Sequence, residues 1–264
     1  MSNKKAKLRI DRILILLALV LILIIIVFSL TSKKGSNLED ASNVNVSVSD
    51  SAITTTADTT TTSTTTEDTT PQHDVQVIDG ATYIDGILIV NKSYSIPAEY
   101  QGYNGGYDDF KPEVPQGLFP EVVEAYNQLK ADSDAEGLNV YMASGYRSYY
   151  YQERVYNSYC EVDSPEVVDT YSARPGYSEH QSGYAFDLNT IDDSFADTPE
   201  GKWIDENCYK YGFIIRFPKG KEDITGYQYE SWHLRYVGVD VATYIHENNL
   251  CLEEYLGVDS VYAE

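Results

Sequence analysis

Two histidines and one aspartate in this chain have the residue types of a catalytic metal site. His180 and Asp187 lie in one short polar stretch, and His233 lies in a second, directly after Trp232. Three protein ligands are the number that a catalytic Zn²⁺ takes while it leaves one coordination position for water. Glu230, three residues before His233, is a further acid that suits a general base. The alternative is that the two histidines are unrelated core or surface residues.

The elements around these residues must bring them together. Residues 182–188 are predicted to form an extended strand in which Gly183, Ala185 and Asp187 share one face. A core strand carries bulk on its inward face, whereas this face carries two small side chains beside an acid. The pattern indicates room for a ligand.

The second polar stretch is predicted to lead into a strand at residues 232–237. On an ideal strand, Glu230 and His233 would point to opposite faces. We therefore expect Glu230 to lie at a loop end or across a β-bulge.

A basic residue stands where a third predicted strand, residues 138–142, gives way to a helix that starts near Ser148. This residue is Arg147, and Gln152 lies one turn further along the helix, where it reaches the same pocket. An arginine in this position can polarise a carbonyl group or hold a carboxylate. The alternative is a surface arginine that pairs with one of the many acids.

Hydrophobic periodicity predicts the other elements. They are strands at residues 75–78, 87–90 and 213–217, helices at residues 118–129, 199–211, 239–248 and 252–256, and a polar loop at residues 218–226.

The N-terminal part differs in composition from the rest. Residues 1–12 are basic, and residues 13–30 form an apolar run that as a helix spans about 27 Å, close to a bilayer core. Because the basic excess precedes this run, the positive-inside rule predicts a cytoplasmic N-terminus and an extracellular remainder. A cleaved signal peptide is the alternative. The Thr-rich residues 31–74 predict a disordered linker, and residues 75–264 predict one folded domain.

Charge and cysteine content exclude some partners and sites. The formal net charge is −22, although the first 34 residues are basic. This balance disfavours nucleic acid and anionic lipid as partners of the folded part. The three cysteines allow at most one disulfide and form no Cys-x-x-Cys pair, so we expect them to serve packing.

Three motifs taken together carry a family resemblance. They are Ser144-Gly145-Tyr146-Arg147-Ser148 with Gln152, Ser178-x-His180-x-x-Gly183-x-Ala185-x-Asp187, and Glu230-x-Trp232-His233. In order and spacing they resemble the motifs of VanY-type D-alanyl-D-alanine carboxypeptidases. These belong to the zinc peptidases that include lysostaphin-like enzymes and share a fold with the hedgehog signalling domain. The likeness covers about residues 85–256.

The resemblance implies a fold and a metal site. The fold is an α+β domain in which helices flank a central antiparallel sheet. The metal is Zn²⁺, held by His180, Asp187 and His233.

The resemblance also implies an activity. The family removes the terminal D-alanine from peptidoglycan stem peptides, with Glu230 as catalytic base and Arg147 stabilising the oxyanion. Gln152 and Ser178 match positions that contact the end of the peptide. The alternatives are an L,D-carboxypeptidase that acts on tetrapeptide stems, an endopeptidase, or a non-hydrolytic wall-binding or signalling module of the same fold.

Overall fold

The structure is a computed structural model that describes residues 73–105 and 117–263. The predicted cytoplasmic tail and membrane anchor, with nearly all of the Thr-rich linker, lie outside the described residues. Within the described ranges, no helix has both the length and the apolar character that a membrane span requires.

The described part begins with a small antiparallel sheet of three strands, β1 (Val75–Ile78), β2 (Ala81–Ile84) and β3 (Ile87–Leu88). The prediction of only two strands here, at residues 75–78 and 87–90, was wrong. Each of the two Asp-Gly steps has positive φ at both residues, which is the backbone of a two-residue type I′ hairpin turn. Because the chain reverses twice, the stretch between the turns is a strand of its own.

The central sheet has four antiparallel strands in the order β4-β5-β7-β6. Its members are β4 (Met142–Ser144), β5 (Ala185–Leu188), β6 (Phe213–Phe217) and β7 (Glu230–Tyr236). The predicted central antiparallel sheet and the strand at residues 213–217 are confirmed. The strand predicted at residues 232–237 begins earlier, at Glu230.

The strand predicted at residues 138–142 is displaced towards the C-terminus. Ahead of β4, the side chain of Asn189 takes part in the hydrogen bonding. The backbone N–H of Tyr141 donates to Oδ1 of Asn189, and the amide of Asn189 donates to the carbonyl of Asn139 at 2.7 Å. The backbone N–H of Asn189 also donates to the carbonyl of Tyr141 at 2.9 Å. Because a side chain replaces part of the backbone pairing, the regular strand starts only at Met142.

Seven α-helices occur in the described residues. They are α1 (Pro120–Ala135), α2 (Tyr149–Cys160), α3 (Pro165–Val168), α4 (Pro199–Asn207), α5 (Glu222–Thr225), α6 (Val239–Glu247) and α7 (Leu252–Leu256). The predicted helices are confirmed with shifted ends. The one predicted at residues 199–211 ends as the 3₁₀ turn Cys208–Tyr211, and the loop predicted at residues 218–226 contains α5.

The strand predicted at residues 182–188 was wrong in its first half. Glu179–Ser182 is a 3₁₀ turn, and Gly183 follows it with a left-handed φ of 79°. A Cβ at Gly183 would meet the carbonyl oxygen of Gly117 and the ring of Phe119. This close approach makes the residue a turn glycine, so only Ala185 and Asp187 share a strand face.

The largest hydrophobic cluster lies on one face of the central sheet, and Asp187 and His233 lie on the other. Phe186 of β5 and Leu234 of β7 are paired across the strands and join the core. The helices cover them with fully buried Val122 and Ile204. The adjoining residues in both strands point to the opposite face because side chains alternate.

The cysteines serve packing. All three are described and free, and Cys208 and Cys251 are buried. The expectation from the sequence is confirmed for these two residues.

Candidate metal centre

The three predicted ligands meet on the polar face of the central sheet. Asp187 and His233 are direct cross-strand partners in β5 and β7, and His180 approaches from the 3₁₀ turn ahead of β5. Nε2 of His180 lies 3.3 Å from Oδ2 of Asp187, and Nδ1 of His233 lies 3.2 Å from Oδ1. The ligand atoms of all three residues lie within 4.8 Å of one another. Such a group can hold one metal ion.

The donor atoms fit a divalent cation. Nε2 of His180 and Oδ1 of Asp187 are buried and have no hydrogen-bond partner among the described residues. Buried polar atoms without a partner are rare, and a bound ion is one explanation for them. Nδ1 of His180 lies 2.7 Å from the carbonyl of Gly145 and donates its proton there, which leaves the Nε2 lone pair free. Two imidazoles and one carboxylate form a donor set that suits Zn²⁺.

The electrostatics also favour a cation. Burial lowers the pKa of His180 to about 4, which keeps this imidazole neutral and able to coordinate. Burial alone would lower the pKa of His233, but the nearby carboxylates of Asp187 and Glu179 outweigh it and raise this pKa to about 9. A buried site that draws a proton so strongly also attracts a metal cation.

Glu230 reaches the same face through the predicted bulge. It is the first residue of β7 and pairs with Phe217, and the register shifts between this pair and the one formed by Ile215 and Leu234. Its Oε2 lies 3.6 Å from Nδ1 of His233. Burial raises the pKa of Glu230 to about 7, against the opposing effect of His233. A carboxyl group of this pKa can exchange protons near neutral pH.

Arg147 lies beside the metal ligands, just before the N-terminus of α2. It directly precedes the N-cap residue Ser148, whose hydroxyl accepts from the backbone of Tyr151. The guanidinium donates to Oε1 of Gln152 at 3.0 Å and to Oδ2 of Asp187 at 3.4 Å. The structure thus places this arginine at the candidate site and not in an ion pair on the open surface.

The two residues predicted to contact the peptide end are both buried at this site. Gln152 uses its carbonyl oxygen for Arg147, and its amide nitrogen donates to the carbonyl of Ala173 at 2.8 Å. It therefore fixes the arginine and the loop before Ser178. Contact of Gln152 and Ser178 with a peptide stays a prediction.

A cleft of about 500 Å³ opens over the three ligands. All seven predicted site residues line it, namely Arg147, Gln152, Ser178, His180, Asp187, Glu230 and His233. Tyr159, Tyr171 and Tyr177 also line the cleft, as do Asp192 and Asp193. The structure therefore brings every predicted site residue into one cavity.

A buried charge cluster behind the ligands was missed from the sequence. Oε1 of Glu179 accepts from Arg216 of β6 and from Arg235 of β7, each at 2.8 Å. The guanidinium of Arg216 also pairs with both carboxylate oxygens of Glu253 in α7. All four side chains are buried. Arginines inside otherwise apolar strands were the signal available, because such charges are seldom buried unpaired.

The chain matches one protein family over residues 116–239, the VanY family, described as D-alanyl-D-alanine carboxypeptidase. It is similar to the putative carboxypeptidase YodJ of Bacillus subtilis (strain 168). The two are 38% identical over 198 residues, which cover 69% of this chain and 72% of the relative.

Solved structures similar to this one include two peptidases of known specificity by name. The LdcB LD-carboxypeptidase is 35% identical, with a TM-score of 0.60, over 72% of this chain and 94% of that one. A mutant of the vancomycin resistance D,D-pentapeptidase VanY in complex with Zn(II) is 34% identical, with a TM-score of 0.52, over 64% of this chain and 97% of that one.

Proposed function

Since this chain belongs to the VanY family of D-alanyl-D-alanine carboxypeptidases, we propose that it removes the C-terminal D-alanine from peptidoglycan stem peptides by zinc-dependent hydrolysis. The observation that carries this proposal is the convergence of His180, Asp187 and His233 within 4.8 Å, with the carboxylate of Glu230 beside them in one cleft. Three ligands and a separate acid are the residue set of a hydrolytic zinc site.

His180, Asp187 and His233 would hold the zinc ion. When bound, Zn²⁺ acidifies a water molecule and polarises a carbonyl group. Two features of the site favour metal coordination by these residues. The Gly145 carbonyl keeps the proton of His180 on Nδ1, and the imidazoles hold the pKa of Asp187 well below its usual range despite its burial.

Glu230 is the proton carrier in this mechanism. Its carboxylate accepts the proton of the attacking water and returns it to the nitrogen of the leaving D-alanine. Burial gives it the pKa of about 7 that this exchange requires. Its carboxylate lies close enough to His233 to act at the metal and yet is not one of the three grouped ligands.

Arg147 supplies positive charge to the substrate. Its guanidinium stabilises the negative charge that develops on the scissile carbonyl oxygen. Gln152 holds the guanidinium at 3.0 Å, and Asp187 accepts from its other end. Ser178 and Gln152, which line the same cleft, are assigned to the end of the peptide.

The test is incubation of the full-length protein with defined pentapeptide and tetrapeptide stems, with and without a chelator. Free D-alanine is expected from the pentapeptide, and the release is expected to stop with the chelator and return with added zinc. Release that survives complete removal of the metal would overturn the proposal.

The second candidate is an L,D-carboxypeptidase that removes D-alanine from tetrapeptide stems. It is favoured by the higher TM-score to the LD-carboxypeptidase than to the D,D-pentapeptidase. Mass spectrometry of the products separates the two, because a D,D-enzyme shortens only the pentapeptide. A binding-only module is disfavoured because Glu230 and Arg147 both accompany the ligands in the cleft.

We also propose that the chain is a single-pass protein of the cell membrane, with a cytoplasmic N-terminus and an extracellular catalytic domain. The basic residues 1–12, the apolar run 13–30 and the Thr-rich linker 31–74 support this arrangement. The domain at residues 75–264 would then reach the cell wall. Protease added to intact cells should release this domain, and protection of the domain would refute the orientation.

A further inference from the structure

We propose that Glu179 is a positioning residue for the metal centre. Its carboxylate accepts the Nε2 proton of His233 and so keeps the Nδ1 lone pair of this histidine directed at the metal. The inference rests on the zinc site of the proposed function. It gives a role to a residue that has none in the three sequence motifs.

The two nitrogens of His233 face different surroundings. Nδ1 faces the ligand carboxylate of Asp187 at 3.2 Å, whereas Nε2 lies 3.7 Å from Oε2 of Glu179. A neutral imidazole carries one proton, so the nitrogen that coordinates a metal must leave that proton to the other. Coordination through Nδ1 therefore requires a proton acceptor at Nε2.

Glu179 is positioned to accept the Nε2 proton of His233. Nε2 of His233 and Oε2 of Glu179 are both buried, and neither has a hydrogen-bond partner among the described residues. At 3.7 Å they are slightly beyond hydrogen-bond distance. Buried polar atoms are seldom left unpaired, and here each has the other as its neighbour.

The carboxylate of Glu179 is fixed and charged. Arg216 and Arg235 both donate to Oε1, which leaves Oε2 to face the imidazole. The group is thus an ionised acceptor whose orientation is set by two strands of the central sheet.

Glu253 offers a matched comparison within the same charge cluster. It pairs with Arg216 through both carboxylate oxygens and is as buried as Glu179. Among the described residues, its side chain bonds to Arg216 and Asn91 and not to His233. Replacement of either acid leaves a guanidinium undercompensated, but only replacement of Glu179 alters the partner of the metal ligand.

The variant Glu179→Gln reverses the hydrogen bond without changing the shape. The two arginines require the amide oxygen on their side, so the amide NH₂ faces Nε2 of His233. An NH₂ donor there favours the tautomer with the proton on Nδ1, which opposes coordination. We expect the zinc affinity of the full-length protein, measured by competition with a chromogenic chelator, to fall about 10- to 100-fold.

The variant Glu253→Gln is the control. It should lower the thermal stability of the metal-free protein as Glu179→Gln does, and it should keep the zinc affinity of the parent. Equal loss of zinc affinity in both variants would overturn the inference, because the effect would then belong to the cluster as a whole. Unchanged affinity in Glu179→Gln would also overturn it.

A measurement on the parent protein decides the question even where a variant fails to fold. The chain has only four histidines, so ¹⁵N NMR of the zinc-loaded protein can assign each imidazole. We expect the proton of His233 on Nε2 and the metal on Nδ1. The opposite arrangement would overturn the inference while leaving the proposed hydrolase intact, whereas a parent protein that binds no zinc would end both.

Discussion

Replacement of Glu230 by glutamine should separate metal binding from hydrolysis. The amide has the shape of the carboxylate but cannot take up a proton. A positioned general acid or base typically contributes about 10²- to 10⁴-fold to the rate. Here one carboxylate removes a proton from water and returns it to the leaving amine, so we expect a loss of about 10³ to 10⁴ in kcat/KM. This loss corresponds to about 4 to 5.5 kcal/mol of transition-state stabilisation.

The structure also predicts what this variant keeps. Glu230 is not one of the three grouped ligand residues, so elemental analysis should still find one equivalent of zinc. The assay is D-alanine release from a pentapeptide stem, with Glu247→Gln on the exposed part of α6 as control. Activity within tenfold of the parent would refute the base assignment. Loss of the zinc would instead make Glu230 a ligand.

Three further perturbations have defined outcomes. Burial raises the pKa of Glu230 to about 7 and a bound cation draws it down, so protonation should lower kcat/KM as the pH falls, with a midpoint below 7 in a pH–rate profile. Arg147→Ala should lower kcat by about 10²- to 10³-fold while the zinc content stays at the parent value. Gly183→Ala should lower the melting temperature more than Gly86→Ala. Both have φ near 80°, but only at Gly183 would the new Cβ meet backbone and ring atoms. Equal falls in melting temperature would show that the contact with Gly117 adds nothing to the cost of the substitution.

The sequence pattern predicted those parts of the site that depend on residues close together in the chain. The spacing of Glu230 and His233 predicted a loop end or a bulge at Glu230, and the strand pairing shows a register shift beside Phe217. The apolar runs of β6 and the C-terminal helices were likewise readable from their periodicity. In these cases the residues that predict a strand or helix belong to that same strand or helix.

The features missed from the sequence depend on contacts between distant residues. Gly183 appeared to be a strand residue because the carbonyl of Gly117 that it packs against lies far away in the chain. The charge cluster was missed because Arg216 meets Glu179 and Glu253 only after folding. No local pattern records which acid faces which base, so partners of this kind require the tertiary structure.

The pairing of Glu253 with Arg216 also has a consequence for biosynthesis. α7 supplies this acid, and the ribosome makes α7 after every metal ligand. A nascent chain that stops before residue 252 would contain the complete ligand set and still bury Arg216 without half of its counter-charge. The charge cluster behind the metal ligands is therefore complete only once α7 has been made and has folded onto β6.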